Sequence, residues 1–319
     1  MSQSPGVKAR NLLVFGGTGL IGSFILESLI DAKDHFNRIA VFTSPATVER
    51  KRETIESIKS RGVEVIVGDV TNEKDVLAAY KDFDTVISAL GRDVLAQQIP
   101  LVKLADQSPS VKWFFPSEYG TDIEYGPRSA HERPHQQKLK VRAALKDVKD
   151  LSYTYVVTGP FADTYLLPTA PAGPNGGGAF NVKEKKANLL GDGNDKLSLT
   201  TMADVGRLVV AALLHPEQSR NRALKVNSFT TTPAEILAEF ERQTGGDKWS
   251  VTYTSLEQLK SLEKDAWATG SPAATVLTLR RIWTEGGTLY EKRDNDAIEA
   301  LEMETLADAV RRAIEQQSK

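Results

Sequence analysis

The sequence contains no cysteine, which excludes disulfides, thiolate nucleophiles and cysteine metal sites together and suits a reducing compartment. Histidine is scarce: His35, His131, His135 and His215 complete the set, without H-E-x-x-H or a comparable metal-ligand spacing. Neither sign of charge dominates, because 40 Lys and Arg face 42 Asp and Glu for a net charge of -2. No overall positive field exists to hold nucleic acid. No apolar run approaches the ~20 residues of a membrane span, and the opening MSQSPGVKAR lacks the apolar core of a secretion signal. A nucleophile elbow is missing too, so hydrolysis has no support. The expectation is a soluble cytoplasmic protein with a small-molecule partner, binding neither nucleic acid nor membrane, with its oligomeric state open. What is present is ordinary globular usage, 40% hydrophobic and 26% charged over 319 residues, enough for one large domain or two moderate ones.

From Asn11 to Thr158 the runs LLVFG, RIAVFTS, VEVIVGDV, DTVISAL, VKWFFPS and LSYTYVVTG are nearly continuously apolar, the pattern of strands covered on both faces. Helical stretches separate them; Leu20, Ile21, Phe24, Ile25 and Leu29, for example, share one face. Six such βα units predict an α/β Rossmann fold, a doubly wound parallel sheet. The expected organisation is a flexible tail at 1–9, a dinucleotide-binding domain at 10–159 and a smaller substrate region at 160–319, some of whose elements return to the sheet. Within the last region, PTAPAGPNGGG at 168–178 reads as a loop. The segments FNVKEKKANLLG and KLSLTT read as hairpin arms around DGND at 192–195, RALKVNS at 222–228 as a strand, and 204–214 and 233–244 as helices. Met303, Leu306, Val310 and Ala313 mark a C-terminal amphipathic helix.

The strongest motif is Gly16-Gly17-Thr18-Gly19-Leu20-Ile21-Gly22, between the first strand and the first helix. Glycines at this spacing give a tight turn, close backbone approach to a pyrophosphate and close packing of helix on strand, with the helix N-terminus facing the anion. The second strand ends Val41-Phe42-Thr43-Ser44 without the carboxylate that would hold a ribose 2′-hydroxyl. Ser44 and the basic Arg50, Lys51 and Arg52 instead suit a 2′-phosphate, which favours NADP(H) over NAD(H). The other reading of 50–52 is a solvated stretch of the next helix.

The loop GGTGLIG, VGDV at 67–70, ISALG at 87–91, FFPSEYG at 114–120, KLKVR at 138–142 and YTYVVTGPF at 153–161 occur in this order. In this the chain resembles the isoflavone reductase-like branch of the NmrA family, atypical short-chain dehydrogenases; DIEYGP after PSEYG is similar to its fungal members. The resemblance implies NADPH-dependent reduction of oxygenated aromatic or secondary-metabolite compounds, or, as in NmrA-like regulators, dinucleotide binding without turnover. It also implies that Gly16, Thr18, Gly19, Leu20 and Ile21, together with Gly22 of the loop, meet the pyrophosphate. Asp69 and Val70 would lie on the adenine side, Ser88, Ala89 and Leu90 at the ribose, and Pro116, Ser117 and Glu118 toward the nicotinamide. The sequence departs from the family at Thr43-Ser44, where these reductases commonly carry an Arg.

Lys138 matches the family's lysine in its K-x-x-V-R setting, which implies catalysis beside the cofactor. The spacing singles it out independently: on a helix from about Pro134 it shares a face with Val141, Leu145 and Val148. Partial burial would lower its pKa toward neutrality. The alternative is a stem that snorkels to the helix edge. A Tyr-x-x-x-Lys motif is absent, since Tyr119 and Tyr125 are followed four positions later by Ile123 and Ser129. His131 and His135 are proton-relay candidates, and Phe161 and Tyr165 substrate-pocket candidates, with Trp267 and Trp283 farther along. Three functions compete: an NADPH-dependent reductase with a lysine acid/base, an NADP-binding regulator, and a non-redox isomerase or cyclase on the same fold.

Overall fold

The computed structural model describes residues 8–168 and 177–319. Residues 1–7 of the expected tail and 169–176 of the expected Pro/Gly-rich loop lie outside the described residues. The first half alternates β1 (Asn11–Phe15), α1 (Leu20–Asp31), β2 (Arg38–Thr43), α2 (Pro45–Arg50), α3 (Arg52–Ser60), β3 (Glu64–Val67), α4 (Glu73–Tyr80), β4 (Thr85–Ser88), α5 (Gln98–Gln107), β5 (Trp113–Phe115), α6 (Gln136–Lys146) and β6 (Ser152–Val157). The second half adds α7 (Ala162–Tyr165), β7 (Ala179–Asn181), β8 (Lys186–Leu190), β9 (Leu197–Leu199), α8 (Met202–Leu214), α9 (Pro216–Ser219) and β10 (Arg222–Lys225). It ends with β11 (Phe229–Thr231), α10 (Pro233–Gln243), β12 (Ser250–Thr254), α11 (Leu256–Ala268), α12 (Ala274–Thr284) and α13 (Leu306–Ser318).

The main sheet has seven strands in the order β10-β6-β5-β4-β1-β2-β3, every pair parallel. This is the doubly wound Rossmann arrangement read from the six apolar runs, extended by β10 against β6. The apolar runs do what continuous burial requires: alternate residues of one strand enter opposite cores. Leu12 and Val14 join Ile25, Leu29 and Leu208 on one face, while Leu13 and Phe15 join Val76, Tyr80 and Leu101 on the other. Each such side chain contributes about 1.5–3 kcal/mol of burial. The third run departs from expectation, because β3 is an edge strand with Glu64 and Val67 exposed rather than a strand covered on both faces.

The expected hairpin is re-paired. β7 and β8 form the antiparallel ladder, closed by the short turn through Lys185. The far edge of β8 is taken by β12 in parallel, so β9 has no edge there and pairs with β11 instead. The DGND segment is still a turn, with Gly193 N donating to Leu190 O at 3.1 Å, but it does not join paired strands. Among the described residues no helix is long and apolar enough to cross a membrane.

Candidate active site

The strand order reverses between β1 and β4, and a crevice opens at the carboxyl ends of strands on either side of such a switch. The glycine loop leaves β1 there. Gly16 has φ +77°, and a Cβ on it would stand 2.6 Å from Ala89 O. One on Gly22 would stand 2.0 Å from Gly16 O, so only glycine lets α1 pack this closely on the turn. Gly19 closes the turn, its N donating to Gly16 O at 2.9 Å, and it caps α1 with no side-chain hydrogen bond and no acidic residue in the first turn. A helix N-terminus left in this state is an anion seat. Leu20 stands exposed on its rim.

The end of β2 divides its candidates. Ser44 caps α2, its Oγ accepting from Thr47 N at 3.2 Å, so its hydroxyl already has a structural partner. Arg50 is exposed on α2. Lys51 is half-buried and donates to the Thr18 carbonyl, which sets an ammonium against the glycine loop. On the other side, Asp69 is exposed and accepts from Thr71 N and Oγ1, both at 2.8 Å; these bonds hold its carboxyl below the ordinary range. Val70 packs on the neighbouring core. Ser88 is fully buried without a partner for its Oγ, Ala89 N donates to Phe15 O at 2.8 Å, and Leu90 O accepts from Ser117 Oγ at 2.9 Å.

After β5, Pro116 and Ser117 are buried, and Ser117 N donates to Gln98 Oε1 at 2.7 Å. Glu118 does not present its carboxylate to the crevice. Arg142 binds it through Nη2 at 2.9 Å and Nε at 3.2 Å, with both side chains almost wholly buried. Arg142 also reaches Glu124 at 2.6 Å and lies over the Tyr155 ring. What Glu118 offers is its carbonyl, which accepts from Lys138 Nζ at 2.9 Å. Lys138 sits in the first turn of α6, where Val141 and Leu145 fill the core. Burial pulls its ammonium down from the ordinary value to about 8; Glu118 opposes this, and Arg92 and Arg142 add to it.

Lys138 lines a cavity of about 530 Å³, a volume suited to a small aromatic molecule. Leu20 of the glycine loop, Phe161, Tyr165 and Trp283 share that wall. The cavity thus adjoins the anion seat and the lysine at once. His135 also lines it. Its Nδ1 meets the Ser129 carbonyl at 2.9 Å, so that nitrogen carries the proton and Nε2, which has no partner, is the acceptor. Burial lowers its pKa, and the Lys138 charge acts in the same direction. His131 is exposed and Trp267 faces a separate surface groove, so neither joins the site.

Two features lay outside the sequence reading. Tyr119 lines the cavity with a buried hydroxyl lacking a partner; burial raises its pKa, so the phenol stays protonated. The second is the rest of the α12 face, where Val276, Leu279 and Arg280 join Trp283, the aromatic already expected at the pocket, in facing the cavity. Their spacing of 3, 4 and 7 from Val276 is the one-face signature of a helix, and Trp283 Nε1 donates to Thr121 Oγ1 at 2.8 Å to fix the wall. That periodicity was available in the sequence, but it reads identically for a stripe facing a core.

Comparison with known proteins identifies the family. Residues 8–307 match the NmrA-like family. Phenylcoumaran benzylic ether reductase Pyrc5 of Pyrus communis is 30% identical over 80% of this chain and 81% of its own. Isoflavone reductase of Pisum sativum is 29% identical over 81% and 83%. Among solved structures, an isoflavone reductase superposes with a TM-score of 0.78 at 26% identity, covering 95% of this chain and 99% of that one. The leucoanthocyanidin reductase–NADPH complex of Vitis vinifera shares the fold, with a TM-score of 0.79 at 18% identity over 95% and 99%. The match over nearly the whole length, on a chain that keeps the glycine loop at its switch point, makes this protein a member of the NmrA-like family.

Proposed function

We propose that the protein is an NADPH-dependent reductase of a small oxygenated aromatic substrate, with Lys138 as its proton donor. The reductase names of its relatives support the reaction class, and the NADPH complex of leucoanthocyanidin reductase supports the cofactor. The described residues fit that group: the loop leaves room only for backbone at Gly16 and Gly22, the N-terminus of α1 is open, and Lys51 stands on the loop. The observation that carries the reading is the placement of Lys138 Nζ on a cavity wall shared with Leu20 of the glycine loop.

Bound NADPH would supply the hydride; the chain's residues hold the substrate and deliver the proton that completes the reduction. Lys138 spends one N–H on the Glu118 carbonyl and keeps two for the cavity. With a pKa of about 8, it is roughly nine-tenths protonated at pH 7 and acidic enough to give its proton to a developing alkoxide or enolate. The Glu118–Arg142 pair positions the carbonyl that orients it. Phe161 and Trp283 would flank an aromatic ring. Adenine-side contacts from Asp69 and Val70 and ribose contacts from Leu90 belong to the same proposal.

The test is a panel of phenolic enones, ketones and benzylic ethers followed by loss of NADPH absorbance and product analysis. One member consuming NADPH stoichiometrically with reduced product is the expected result. Tight NADPH binding with no turnover across the panel overturns the reading in favour of the regulator, and altered product without NADPH consumption in favour of a non-redox catalyst.

A further inference from the structure

Arg280 interrupts the apolar stripe that α12 turns to the cavity, and only 3% of the residue is exposed. A guanidinium remains charged in a protein and is seldom buried without an anion beside it. Elsewhere in this chain the rule is kept. Arg281, the next residue, binds Glu132, Glu263 and Glu285 at 2.5–3.0 Å, and Arg142 binds Glu118 and Glu124. Arg280 has no carboxylate. Its Nη1 donates to the Gly178 carbonyl at 2.8 Å, its Cζ lies 4.8 Å from the Tyr165 ring centroid, and its buried Nε has no partner. No Asp or Glu is among the residues lining the cavity, and segments 1–7 and 169–176 contain none in sequence.

We infer that Arg280 is the seat of a substrate carboxylate, so that the molecule taken by this cavity is an aromatic acid. The inference rests on the proposed reductase reading for its premise that the cavity is the substrate site. A carboxylate here would meet a fixed planar donor fork in a pocket walled by rings, where a charge-assisted, two-point hydrogen bond is strong and water competes poorly. The aromatic part would pack on Tyr165 and Trp283, whose rings stand 6.1 Å apart. Of the three cations on the cavity, Arg92, Lys138 and Arg280, Arg280 fixes the acid end and Lys138 serves the reacting oxygen.

The experiment titrates the full chain, saturated with NADP+, with 4-hydroxycinnamate and with its methyl ester at pH 7, read by tryptophan fluorescence and calorimetry. The acid is expected to bind at least ~10-fold tighter than the ester. Arg280→Gln should bring the two within about twofold, and Arg280→Lys should restore part of the preference. Equal affinity of acid and ester in the parent overturns the inference, as does saturable binding of neither. So does a preference that survives Arg280→Gln in protein with the parent's circular dichroism, or one that disappears in Lys138→Met instead. Should Arg280→Gln misfold, Arg280→Lys decides: a reduced preference supports the inference, and a preference unchanged from the parent overturns it. Acid preference without NADPH turnover would sink the reductase reading alone, whereas reduction of neutral phenols with no acid preference would sink this inference alone.

Discussion

Replacing Lys138 by methionine keeps the side-chain length and removes the charge, which separates the lysine's cost to the fold from its use in chemistry. Folding lowers its pKa from 10.5 to about 8, which at about 1.4 kcal/mol per pH unit bounds the penalty on the empty protein at roughly 3 kcal/mol. The side chain is only part-buried, so water screens the penalty to about 1–2 kcal/mol. Loss of the bond to the Glu118 carbonyl returns about 1 kcal/mol, leaving Lys138→Met more stable than the parent by up to about 1 kcal/mol at pH 7. The sign with pH follows from the direction of the shift. Because the unfolded chain binds this proton more tightly, the penalty is complete below about pH 8 and fades as pH rises toward 10.5. The melting advantage of Lys138→Met should therefore close across that window. Activity moves oppositely. If the ammonium donates the proton, NADPH-dependent turnover should fall by ~10²-fold or more while NADPH affinity stays within about twofold. In the parent, kcat/KM should decline about tenfold per pH unit above a break near 8, and the variant should lack that break. Turnover at the parent rate, or the same break in Lys138→Met, would refute the assignment.

Two further outcomes test the cofactor site. A Cβ at Gly19 meets only Gly16 O at 3.1 Å, whereas one at Gly22 meets the same atom at 2.0 Å; Gly19→Val should lose NADPH binding in a folded protein, and Gly22→Val should destabilise the fold itself by about 1–3 kcal/mol. Fluorescence titration with parallel thermal melts separates them, and Gly19→Val titrating like the parent would discard the loop assignment. Lys51→Ala should weaken NADPH binding ~10-fold and leave NADH nearly unchanged, and equal losses for both nucleotides would remove Lys51 from the 2′-phosphate.

Much of the framework was legible because its causes are local. The glycine loop declares itself in seven consecutive residues, since a turn that a pyrophosphate can approach tolerates almost nothing else at Gly16 and Gly22. Most of the apolar runs became parallel strands covered on both faces, which dispense with polar alternation, while the third became the sheet edge. The strand end at Thr43-Ser44 carried its missing carboxylate openly, and Lys138 could be placed on the Val141–Leu145 face from spacing alone.

Tertiary structure decided what depends on partners distant in the chain. The pairing of β8 depends on which strand occupies its free edge, and β12, some sixty residues on, holds it while β9 pairs with β11. Glu118 read as a residue facing the cofactor, yet Arg142, brought to it by the packing of α6, claims its carboxylate. His131 and His135 are alike in sequence, but only His135 turns into the cavity. Arg280 and Arg281 are adjacent and chemically identical; one meets three carboxylates and the other none. A sequence determines which face of a helix is apolar, because that is a matter of period. Whether the face meets a core, a cavity or an acid from another element depends on where the chain returns, and that is determined only when all the elements have packed.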